Sequence, residues 1–145
     1  MTKINAIVGL LVAAVAAVGV VAFGAAQASA SSEPIVIPYA KTCDTPTHCA
    51  GTAGVGGTLE MWVTGFRPTG NAAQLTLTER ITVGDISFTA QMKGDVSPAG
   101  FIVLNGTVTE GSFAGAQVHQ RSNLVGGTAT TTTWTGELRL MPASA

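Results

Sequence analysis

Charge is scarce in this chain. Its 145 residues include 7 Lys+Arg and 8 Asp+Glu. That near-neutral balance leaves no basic stripe with which to neutralise a run of phosphates, and nucleic-acid binding is excluded on that ground. Cysteine and histidine are limited to two residues each, so no second Cys/His pair stands at zinc spacing. The sequence also lacks G-x-G-x-x-G, the P-loop pattern and the G-x-S-x-G elbow, which removes the common phosphate-cradling and serine-hydrolase arrangements. Past residue 30 no apolar stripe recurs at helical spacing.

Apolar residues are abundant chiefly at the start. A short segment with Lys3 precedes an 18-residue apolar run from Ala6 to Phe23, and the small residues Ala28-Ser29-Ala30 follow. A basic end, an apolar middle and an A-x-A site are the parts of a cleavable secretory signal helix, so residues 1–30 are read as a signal peptide and Ser31 as the mature start. The rival is a membrane anchor, since such a run is just long enough to span a bilayer. Gly9, Gly19 and many alanines dilute it, and no Lys/Arg stop-transfer cluster follows. Position 31 is not Cys, so no lipid-anchored form is expected. The expected location is outside the cell or in its envelope, with no membrane attachment after cleavage.

Residues 31–145 then carry 6 basic and 8 acidic side chains, 19 Thr and 15 Gly. Such usage favours strands and turns over helices. In an oxidising compartment Cys43 and Cys49 are expected to form a disulfide around the Pro46 turn. The alternative is a metal site using Cys43, Cys49, His48 and Asp44. Adjacent His48 and Cys49 are poorly placed to reach one ion together, so no metal is assigned.

Period-two segments separated by glycine-rich turns fall at 35–38, 58–64, 74–83, 86–93, 101–108, 116–122 and 131–140. Seven or eight such strands specify an all-β fold: a small up-and-down antiparallel barrel, with a β-sandwich as the alternative. Residues 31–57 read as an N-terminal segment with the disulfide loop, and 58–145 as the barrel or sandwich domain. Residues 50–57, 66–72, 94–100 and 123–129 read as linkers.

The central hairpin is the strongest local pattern. Gly84-Asp85 suits a type II′ turn, which sets Val83 opposite Ile86, Ile81 opposite Phe88, Glu79 opposite Ala90 and Leu77 opposite Met92. All eight face one way, and Thr76, Thr78, Arg80, Thr82, Ser87, Thr89, Gln91 and Lys93 face the other. Glu79 is the one charge on the core face. Burying a carboxylate among apolar neighbours costs several kcal/mol unless it is paired, protonated or wetted. Either a bulge turns Glu79 outward, or it is a polar group inside the barrel or at its mouth that orients an apolar ligand.

The stretch Gly111-Ser112-Phe113-Ala114-Gly115-Ala116, after the strand starting at Phe101, resembles the glycine/aromatic/small-residue turn of the dirigent and allene-oxide-cyclase-like barrels. The resemblance implies an eight-stranded up-and-down barrel with an apolar interior, and none of that family's catalytic residues has a counterpart in this chain. Read from the residues alone, Gly111 and Gly115 permit a tight turn and Phe113 would plug one end of the core.

Other chemistry is thin. His119 and Arg121 share one strand face; Ser112, His119 and Glu110 lack any recognisable oxyanion geometry. Asn105-Gly106-Thr107 fits an N-glycosylation acceptor. Trp62 and Trp134 are core or rim residues, and a pair of aromatics in a barrel mouth is also how apolar ligands and sugars are held. The reading that results is a secreted, non-catalytic small barrel without cofactor that binds an apolar or amphipathic small molecule, with Glu79, Trp62 and Trp134 as ligand-binding residues, or that simply persists as a stable envelope or extracellular protein. The alternatives are a cyclase or isomerase using Glu79 and an internal histidine, and a partner-binding extracellular domain.

Overall fold

The computed structural model describes residues 33–142. The expected signal helix and the cleavage site at Ser31 lie outside the described residues. Eight antiparallel strands close on themselves: β1(Ile35–Thr45), β2(His48–Ala53), β3(Gly57–Thr69), β4(Ala72–Val83), β5(Ile86–Ser97), β6(Phe101–Gly111), β7(Gln117–Gly127) and β8(Thr132–Met141). Each strand pairs with the next, and β8 returns to β1. The architecture is therefore the up-and-down barrel, and the sandwich alternative does not apply.

Alternation along each strand builds the wall. On β4, Leu75, Leu77, Ile81 and Val83 point into the barrel with Glu79, while Thr76, Arg80 and Thr82 face solvent. On β5, Phe88, Ala90 and Met92 point in. Eight strands enclose a space just wide enough for side chains to fill, and each large apolar group buried there contributes about 1.5–3 kcal/mol. Threonine, which is suited to strands, dominates the outer wall. An apolar interior within a polar exterior is the reverse of the lipid-facing pattern of a transmembrane barrel.

The central hairpin has the register expected of it, Val83↔Ile86 through Leu77↔Met92. Gly84 adopts φ 58° and Asp85 stays outside the positive-φ region, which is the backbone of the type II′ turn. Inward-facing Gly136 has a different task. A Cβ there would fall on the carbonyl oxygen of Arg121 on β7, so the bare backbone lets β8 press against its neighbour where the sheet curves.

Several expectations need correction. Residues 31–57 are not a segment apart from the barrel, because they supply β1 and β2. The strand expected at 35–38 runs on to Thr45 through Pro38, whose flank toward β2 lies beyond the last β1–β2 pair at Tyr39↔Ala53. β2 fell in the expected cysteine loop and linker: Ala50, Gly51 and Ala53 have little β-propensity, and cross-strand pairing on both sides overrides it. The segments 66–72, 94–100 and 123–129 are largely strand, since β3, β5 and β7 extend to Thr69, Ser97 and Gly127. Phe113 does not plug the core. It is 40% exposed at the β6–β7 turn, with φ 61°.

Candidate functional site

The turns after β1, β3, β5 and β7 all lie at one end of the barrel, where the lumen opens into a cavity of about 450 Å³. Val63, Leu75, Val96, Ile102 and Trp134 form its walls. A bulge on β3 between Val63 and Gly65 produces one further wall residue. By inserting Thr64, it brings Phe66 into register with inward-facing Leu75, and Phe66 overhangs the mouth while remaining 66% exposed.

Cys43 and Cys49 are bonded to each other. They are a directly opposed pair on β1 and β2, so the disulfide ties two staves of the wall as well as the turn between them, and both cysteines line the cavity. The thiols expected for a disulfide are therefore in one.

Two positions deeper on β1 than Cys43 lies Lys41, which is 1% exposed and also lines the cavity. Its Nζ donates to Met61 Sδ at 3.3 Å and sits 5.2 Å from the centre of the Tyr39 ring. Thioether sulfur is a weak acceptor. Lys41 forms no ion pair with any described carboxylate. Burial pushes its pKa down, and the charge of Glu79 opposes that shift only in part.

Below Lys41 is a second polar layer. Gln120 Nε2 donates to Tyr39 Oη at 2.8 Å and to Glu79 Oε2 at 3.3 Å. Tyr39 Oη also pairs with Ser122 Oγ and reaches the Arg121 carbonyl oxygen at 3.4 Å. Desolvation pushes the Tyr39 hydroxyl up to about 12, against the hydrogen bonds of Ser122 and Gln120. Burial likewise raises Glu79, opposed by the charge of Lys41 and the hydrogen bond from Gln120. For both groups the apolar surround disfavours the charged form, which is the cause of the two upward shifts.

Compared with known proteins, the chain matches no family model, no curated protein and no solved structure.

Of the three residues expected at a binding site, the structure brings only Trp134 to the cavity wall. Glu79 points inward as the hairpin register requires, without a bulge on β4 beside it, yet it lies among Tyr39, Lys41 and Gln120 beneath the cavity. Trp62 is on the outer wall, because it alternates with inward-facing Met61. There it stacks with Arg80, 5.3 Å from its ring centre, and lies 6.2 Å from the His48 ring. The internal histidine of the cyclase alternative is missing from the lumen among the described residues. His48 is on the outer wall with Asp44 and Glu60, and His119 pairs with Asn105.

Lys41, Met61, Val63 and Phe66 escaped the sequence reading as site residues. For Lys41 a signal existed. Ile35, Ile37, Tyr39, Lys41 and Cys43 share one strand parity, which becomes visible once Pro38 is not taken as a stop.

Proposed function

We propose that the chain is an exported binding protein that holds an apolar or amphipathic small molecule in the mouth of its barrel. The observation that carries this reading is the cavity of about 450 Å³ with apolar walls and a single lysine, Lys41, at its floor. Its size falls within the usual range of small-molecule sites, about 300–1,000 Å³, and a mostly apolar lining with few polar groups is their usual character. Export is supported by the signal-like pattern of residues 1–30 and by the Cys43–Cys49 disulfide, which persists in oxidising compartments. The likeness of Gly111–Ala116 to the dirigent and allene-oxide-cyclase-like turn agrees with a barrel around an apolar interior and contributes no catalytic group.

A fluorescent amphipathic probe, anilinonaphthalene sulfonate, tests the reading. With Trp62 replaced by Phe, Trp134 is the sole indole, and energy transfer from it reports probe in the cavity. Saturable binding at one site, lost in Val63→Phe where the added ring fills the lumen, is the expected result. Binding unchanged by Val63→Phe would place the probe elsewhere and overturn the proposal.

A further inference from the structure

We infer that the cavity selects an amphipathic anion, a monocarboxylate whose apolar chain lies against Val63, Leu75, Ile102 and Trp134 while its carboxylate meets Lys41 Nζ. The inference rests on the proposed binding function and names the class of ligand.

Lys41 is the reason. A lysine side chain is almost never fully buried without a counter-charge, because removing an ammonium from water costs several kcal/mol that only a nearby anion and good hydrogen bonds recover. Here the amine has three donor positions and one described partner, the thioether of Met61. The face of the Tyr39 ring offers a second, weaker attraction. Lys41 lines the cavity, so the space above it is where the missing acceptor would enter.

The other ionisable groups packed around Lys41 fit an anionic visitor. Glu79 and Tyr39 are the titratable residues of the layer below, and burial favours the neutral form of both. Glu79 acts on Lys41 through its charge but makes no ion pair with it, so the position directly at Nζ is left for the carboxylate of a bound ligand. The ammonium–carboxylate attraction is strengthened at this depth because Lys41 is buried and the cavity walls around it are apolar. Neutral amphiphiles would leave Lys41 without a charge partner, and cationic ones would be repelled.

Titration calorimetry with decanoate, decanol and decylamine on the mature protein tests the inference. Decanoate should bind at least ten-fold tighter than decanol, with decylamine weakest. In Lys41→Met, which keeps the length of the stem and removes the charge, decanol binding should persist and the preference for decanoate should vanish. Equal affinity of decanoate and decanol for the wild type, or a preference that survives Lys41→Met, overturns the anion assignment and leaves the binding function standing. No binding of any of the three overturns both. The comparison within the wild type does not depend on the variant's folding.

Discussion

Gln120 and Glu79 meet inside the barrel at 3.3 Å through Nε2 and Oε2, while Glu79 Oε1 and Gln120 Oε1 have no hydrogen-bond partner. Both orphan atoms are acceptors if Glu79 is ionised. A proton on Glu79 changes that, since a carboxylic acid can donate to an amide oxygen while accepting from its N–H. The rise of the Glu79 pKa by desolvation points the same way.

A pH dependence follows. A folded-state pKa above the ordinary value of 4.5 means that the contribution of Glu79 to stability is fully present below pH 4.5 and is lost as pH rises through the folded value. Glu79→Gln keeps the shape and cannot ionise, so its denaturation midpoint should gain on the wild type as pH is raised from 4 toward 8. Parallel midpoints over that range would show that folding leaves the Glu79 pKa at its ordinary value and would contradict the upward shift.

Gly136→Ala should destabilise the barrel by about 1–3 kcal/mol, the usual range for forcing an extra group into a filled space. The added Cβ meets the Arg121 carbonyl, a backbone atom that cannot swing aside as a side chain would. Thr135→Ala, at the exposed neighbouring position, should change stability by no more than about 0.5 kcal/mol. Urea titration of both variants makes the comparison, and equal effects would contradict this account of the curvature.

Replacing both cysteines by serine should cost about 2 kcal/mol, the loop-entropy value for so short a ring, and leave a folded barrel with a typical reserve of about 5–15 kcal/mol. Circular dichroism melts would show it. An unfolded double variant at room temperature would mean that the β1–β2 link is required for barrel closure. Because the pair lines the cavity, ligand affinity should fall as well.

On the outer wall, His48 places Nε2 at 2.9 Å from Glu60 and Nδ1 at 3.3 Å from Asp44. Hydrogen bonds that the protonated ring donates to Glu60, the larger effect, and to Asp44 raise its pKa above 6.5. Its stabilising contribution is therefore present below pH 6.5 and fades as pH climbs through the raised value. Proton NMR titration of the imidazole should give a midpoint above 6.5 in the wild type and a lower one in Glu60→Gln. The same midpoint in both proteins would rule out the Glu60 contact as the cause.

Much of the barrel was legible because alternation is a local property. Each strand of the central hairpin carries its own inside and outside, and the two-residue turn sets the register between them, so Glu79 could be placed in the core from sequence alone. The cavity was less visible. Its floor depends on β1 continuing past Pro38, and its wall at Phe66 depends on a bulge with no sequence mark other than Gly65. Trp62 and Trp134 look equivalent as residue types. Only strand parity separates them, and that parity puts one on each side of the wall.

The ladder between β1 and β8 sets the order of assembly apart from that of a simple meander. Every other pairing in the barrel joins consecutive strands, whereas Ile35↔Leu140 brings together positions about 100 residues apart, a slow kind of contact to form. Tyr39 sits on β1, and its Gln120 and Ser122 partners sit on β7, next to β8. Before closure those polar groups are wetted, and β1 and β8 each expose an unpaired edge open to other chains. Closure ends both conditions in one event. The half-assembled meander is accordingly the species most exposed to aggregation during folding, and substitutions that weaken the β1–β8 seam should lower the yield of folded protein more than their effect on the finished barrel would suggest.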